Sequence, residues 1–68
     1  MTAGDRVRIF QSGEVFPPGQ PLARRILAIK GQLGTLIDVA PKECTGGALV
    51  ALQAGEYLVP YAMLELAP

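Results

Sequence analysis

The sequence predicts an all-β domain, a small barrel of five short strands, and three observations carry that expectation. Eight glycines and six prolines interrupt the chain every few residues. The apolar segments between them are short and rich in β-branched side chains, as strands of a small barrel or sandwich require. No stretch repeats apolar residues at helical spacing over a useful length.

The elements follow in order. Gly4 supplies a turn, and Asp5 to Phe10 then alternates polar with apolar. In an extended strand that alternation turns Val7 and Ile9 toward a core and Arg6 and Arg8 outward. Phe10 is assigned to the core, and Phe16, Tyr57 and Tyr61 to its rim. From Gln11 to Pro21 the chain reads as a long connection stiffened by Pro17-Pro18. Ile26 to Ile29 leads back to the barrel as a short extended piece. Gly31-Gln32-Leu33-Gly34 forms a tight turn into a strand over Thr35 to Val39. Gly34 is expected either where a side chain would strike a neighbouring strand or where φ is positive. Pro41 to Gly47 reads as a surface loop carrying Cys44. Ala48 to Leu52 is a buried strand, and Gln53 to Glu56 turns the chain into Tyr57 to Val59. Pro60 ends that strand, Tyr61 to Leu64 makes one turn of 3-10 helix, and Glu65-Leu66 closes the sheet.

Five strands, a long first connection and a 3-10 turn before the last strand describe an SH3-like barrel. It occupies residues 1–68 as a single domain, with no repeat or linker. Such a chain buries only about 60% of its unfolded surface, so its core is thin. Domains of this size commonly lean on a disulfide, a metal or a partner. The single cysteine cannot bridge internally, and without histidine one thiol makes no zinc site. Another protein surface is the remaining support.

Half of the residues are hydrophobic, which argues against disorder. No apolar run reaches membrane-spanning length, and no signal-peptide pattern opens the chain. A cytoplasmic or stromal protein starting at Met1 is therefore expected. Net charge is zero but unevenly spread along the sequence. Residues 1–30 hold Arg6, Arg8, Arg24, Arg25 and Lys30 against Asp5 and Glu14, a local +3. Residues 31–68 hold Lys42 against Asp38, Glu43, Glu56 and Glu65, a local −3. That asymmetry predicts a basic patch able to steer an acidic partner.

The chemistry of catalysis is sparse. Cys44 has no base or other evident activator, since its neighbours Lys42 and Glu43 offset one another. The six acids read as turn and outer-face residues rather than an acid–base pair. No phosphate-binding glycine loop is present. The chain is expected to have no catalytic, cofactor-binding or metal residues of its own. Lys30 to Leu36 is similar to the glycine pattern of the KOW motif in RNA-binding barrels. A neutral domain with a pI near 6.1 and four aromatics lacks the basic footprint that nucleic-acid affinity needs.

Gly4-Asp5-Arg6-Val7-Arg8, a long loop, Gly31-Gln32-Leu33-Gly34 and a closing Leu64-Glu65-Leu66 together resemble the variable (alpha) chain of ferredoxin–thioredoxin reductase. That family belongs with other SH3-like electron-transport accessory domains, among them the small barrel of photosystem I and that of nitrile hydratase beta chains. The resemblance covers most of the sequence through short motifs. It departs in a shorter Cys44–Leu52 stretch and a more apolar Gln20–Lys30 segment. It implies a non-catalytic accessory subunit docked on a larger redox or metallo-enzyme, with any iron–sulfur cluster held by that partner. Ser12 to Pro17 followed by Ile26 to Gly31 also resembles the Z-type nitrogen-fixation accessory proteins, which assist nitrogenase cluster maturation. An enzymatic relative of the same architecture is type II plasmid dihydrofolate reductase, but Leu58-Val59-Pro60-Tyr61 lacks its signature glutamine.

The residues expected to contact a partner are the outward arginines Arg6, Arg8, Arg24 and Arg25, with Phe16 as an anchor on an exposed loop tip. A thin core with exposed apolar residues serves a homo-oligomer equally well.

Overall fold

A computed structural model describes residues 1–19, 24–39, 41 and 46–68. Cys44 and most of its loop lie outside the described residues. The described chain is all-β, with one 3-10 turn and seven strands rather than five. They are β1 (Arg6–Ile9), β2 (Gly13–Val15), β3 (Ile26–Ala28), β4 (Leu33–Asp38), β5 (Gly47–Leu52), β6 (Gly55–Pro60) and β7 (Leu64–Leu66). The 3-10 turn, Tyr61–Met63, joins β6 to β7.

Five strands form one antiparallel sheet in the order β6-β5-β4-β1-β7. The edge strands β6 and β7 are not paired with each other, so this sheet is open rather than a closed barrel. The two additional strands lie in the long first connection. β2 and β3 pair antiparallel there as a separate ribbon, Gly13 opposite Ala28 and Val15 opposite Ile26. Sequence reading takes Gln11 to Pro21 as a stiff loop and so misses β2, whose three residues leave almost no periodic signal, whereas β3 falls within the extended piece expected over Ile26 to Ile29.

A backbone bridge ties the ribbon to the sheet. Phe16 pairs antiparallel with Leu58 of β6, and the Leu58 amide donates to the Phe16 carbonyl at 2.6 Å. The edge of β6 is thereby occupied at its middle, and Pro60 has no N–H to offer at its end. At the other end of the ribbon, the Lys30 amide donates to the Ser12 hydroxyl at 2.8 Å.

The core lies between the ribbon and the facing side of the sheet. Val15 and Ala28 come from the ribbon; Val7, Ile9, Leu36, Ala48, Val50, Leu52 and Val59 come from the sheet. Met63 and Leu64 close the layer from the 3-10 turn and β7. The polar–apolar alternation of β1 is as expected, with Val7 and Ile9 buried and Arg6 exposed. Phe10 corrects the expectation: it is 52% exposed, because it is the next outward position after Ile9.

Two glycines shape the central strands. Gly31 has φ +98° in the turn before β4, and its amide donates to the Ile9 carbonyl at 2.8 Å. Gly34 has no positive φ; it is buried inside β4, where a Cβ would lie 2.8 Å from the Ala51 carbonyl oxygen and from Val50 Cγ1. Of the two roles expected for Gly34, the close approach is the one realised. Leu33 and Gly34 accordingly belong to the strand and not to the preceding turn. Further along β4 the register shifts between Leu36 and Asp38, so Ile37 is an extra residue that turns outward.

Candidate docking surface

Among the described residues the ribbon covers one face of the sheet, and the outward residues of the other are exposed or half-buried. On that outer face stand Arg6 and Arg8 of β1, and Phe10 follows the strand in a bend. Cross-strand register places Thr35 opposite Arg6, and Leu33 and Glu65 on either side of Arg8. Leu33, opposite Arg8, is 51% exposed, and Phe10, just past the end of β1, is 52% exposed. Sequence reading assigns Phe10 to the core and Leu33 to the turn before β4, and neither to a contact surface. Strict alternation, applied one position past Ile9, is the signal that finds Phe10.

The charges on this face are differently disposed. Arg8 Nε donates to Glu65 Oε2 at 2.8 Å, which fixes its guanidinium over the β1–β7 pair. Arg6 is exposed and has no ion-pair or hydrogen-bond partner for its side chain among the described residues. Asp5, next to it in sequence, accepts from the Thr2 amide at 2.9 Å. Both partners of the Arg8–Glu65 pair are more than a third exposed, so the pair is worth little in stability. Glu65→Gln should shift stability by no more than about 0.5 kcal/mol in a denaturant titration. The same change removes the counter-charge of Arg8 while keeping an oxygen able to accept from it.

The other expected contact residues lie elsewhere. Arg24 and Arg25 precede β3, whose ladder partner is β2, and β2 is bridged to β6 rather than to β1. Arg25 is ion-paired with Glu14 across the ribbon, and Arg24 is exposed. Phe16 is half-buried in its bridge to Leu58 and is not on an exposed loop tip. The five residues thus form two separate groups, and only Arg6 and Arg8 share a face. The charge asymmetry along the sequence is also reduced in space. Antiparallel pairing brings the acid Glu65 from the second half of the chain onto Arg8, and Glu14 neutralises Arg25 within the first half.

Tyr61, on the 3-10 turn, donates its hydroxyl to the Val39 carbonyl and fastens the turn to the end of β4. Among the described residues there is no concave pocket and no cluster of three or more carboxylate or thiol groups placed to hold a metal. No helix among them is long and apolar enough to cross a membrane.

No protein-family model matches the chain, and no curated protein and no solved structure matches it either.

Proposed function

We propose that this chain is an SH3-like barrel that serves as a non-catalytic accessory subunit, docking on and stabilising a larger iron–sulfur redox enzyme. The observation that carries the fold half of this reading is the strand order β6-β5-β4-β1-β7, with a ribbon inserted after β1 and a 3-10 turn before β7. An SH3-like barrel has that arrangement, its long first connection folded back over the sheet. The accessory half is supported by the sequence, which has no histidine and a single cysteine, and by the thinness of the core. The redox partner is supported by the resemblance to the reductase variable chain alone.

The test is affinity capture of the tagged full chain from its native lysate at low salt, with mass spectrometry and iron analysis of the eluate. A stoichiometric, iron-containing protein is the expected result. A nitrogenase-maturation protein in its place would move the reading to the second accessory family. Recovery of the chain alone, iron-free and as a stable oligomer, would overturn the accessory reading and favour a self-contained role. Co-purifying RNA whose binding weakens with salt would favour the KOW-like alternative.

A further inference from the structure

We infer that the free edge of β3 takes up an extended, acidic segment of a partner protein as an added strand, with an aliphatic side chain seated beside Leu27. The inference rests on the accessory reading above only for the identity of the protein that supplies the segment. The direction of the backbone groups carries it. Phe16 exchanges both main-chain hydrogen bonds with Leu58, its amide donating at 3.4 Å and its carbonyl accepting at 2.6 Å. Phe16 and, two residues back, Glu14 therefore direct their backbone groups toward β6, and Val15 and Gly13 turn theirs toward Ile26 and Ala28 of β3. Leu27, opposite Glu14, is left with its N–H and C=O pointing away from the ribbon, and neither has a partner among the described residues. The turn beyond keeps the same alternation. The Lys30 amide reaches back to Ser12, whereas Ile29 faces outward and is closed by Gln32, whose Oε1 accepts from its amide at 2.7 Å. Leu27 is thus the open rung of the edge. At 59% it is also the most exposed large hydrophobic residue among the described ones, with Ile29 at 49% two positions on.

Charge decides what occupies this edge. The described part of the ribbon, residues 11–19 with 24–30, carries Arg24, Arg25 and Lys30 against Glu14 alone, three positive charges less one, a net +2. Glu14 is engaged by Arg25. Arg24 before the strand and Lys30 after it are exposed cations whose side chains have no ion pair among the described residues. A second copy is a poor occupant. Two β3 strands paired antiparallel about Leu27 would set Arg24 of each opposite Lys30 of the other, a like-charge contact at both ends. A segment with carboxylates at its ends and an aliphatic residue between them meets both cations and covers Leu27, while its main chain completes the open rung. The other edges are less receptive. β6 is occupied by Phe16 and ended by Pro60. On β7 the Leu64 amide is bonded to the Tyr61 carbonyl, Pro68 has no N–H, and Glu65 is neutralised by Arg8, so no charge there selects a strand.

The test uses the full chain, isotopically labelled, and a synthetic peptide as probe: Glu-Thr-Thr-Val-Thr-Thr-Glu with both ends capped, beside a control in which lysine replaces each glutamate. Amide exchange followed by NMR should show Leu27 exchanging rapidly in the free chain, between protected Ile26 and Ala28. An excess of the acidic peptide should slow the Leu27 amide roughly tenfold or more. Fluorescence anisotropy of the labelled peptide should show roughly tenfold weaker binding to Leu27→Pro and to the double variant Arg24→Glu with Lys30→Glu, and no loss with Leu66→Lys on the β7 edge. The lysine peptide should bind wild type at least roughly tenfold more weakly than the acidic one. Proline at position 27 removes the outward N–H and leaves the β2 ladder its donors and acceptors; should that variant fail to melt cooperatively, Leu27→Lys takes its place. A protected Leu27 in the free chain, no slowing with the acidic peptide, or equal binding by all variants would overturn the edge. Protection of Leu27 that rises with protein concentration in the absence of peptide would make a second copy the occupant and overturn the partner segment. None of these readings uses a lysate, so they fail separately from the accessory reading, whose own failure is a capture without an iron-containing protein.

Discussion

Replacing Gly34 with alanine should destabilise the domain by about 2–3 kcal/mol, the upper range for overpacking a well-filled core. The added Cβ would sit 2.8 Å from the Ala51 carbonyl oxygen, 2.8 Å from Val50 Cγ1 and 2.9 Å from Leu52 Cδ2. Only the leucine methyl can swing aside cheaply. The carbonyl belongs to β5, whose register with β4 and β6 is set by its ladders on both sides. Relief therefore requires the β4–β5 ladder to open or β4 to bend, and either movement reaches the core through Leu36 and Val50. For a chain this short, total stability is on the order of 3–10 kcal/mol, so the loss is a large fraction of it. Gly34→Val should leave the chain largely unfolded at room temperature. The midpoint of a urea titration, read by far-ultraviolet circular dichroism, checks both variants; an alanine variant within about 0.5 kcal/mol of wild type would contradict the close approach.

A second large effect is expected from the adjacent pair Ile9 and Phe10, whose order of importance is the reverse of what size suggests. Ile9 is 1% exposed, at the centre of the core, and its main chain also accepts from Gly31 and donates to Gln32. Ile9→Ala should cost about 3–4 kcal/mol, within the usual range for emptying a buried aliphatic site. Phe10→Ala removes a larger side chain but should cost only about 1 kcal/mol, because about half of the residue's surface already contacts water. Thermal melts of the two variants measured side by side decide the matter. A larger loss from Phe10 than from Ile9 would place the phenylalanine in the core after all.

Much of the fold is legible in the sequence where physics acts locally. The alternation around Val7 and Ile9, the glycine at position 34, the turn at Gln53-Ala54 and the 3-10 turn after Pro60 each follow from residue types within a few positions. The ribbon is not legible in this way. Its strands are three residues each, and what keeps them extended is mutual pairing and the Phe16–Leu58 bridge, contacts that join distant parts of the chain. The same limit applies to charge. Arg8 and Arg25 look like free cations along the sequence, yet each has its acid from another strand. Arg6 and Arg8 are read correctly as outward residues, whereas the anchor chosen from sequence, Phe16, is half-buried at its bridge to Leu58, and Phe10, assigned to the core, is exposed.

The position of β1 between β4 and β7 bears on how the molecule reaches this state. Its first ladder closes over a moderate separation in sequence, but its second joins Arg8 to a residue 57 positions away. The loop entropy of that closure is offset only by a three-residue strand, so the pairing gains little until the rest of the core is assembled. Folding should accordingly proceed on the slow side for a chain of this size, on the order of milliseconds to seconds, with the β4–β5–β6 meander organised first and the β1–β7 seam last. Until that seam forms, the edge of β1 that offers the Arg6 carbonyl and the Phe10 amide is unpaired, next to the apolar face made by Val7 and Ile9. A newly made chain held in that condition is the species most exposed to misassembly.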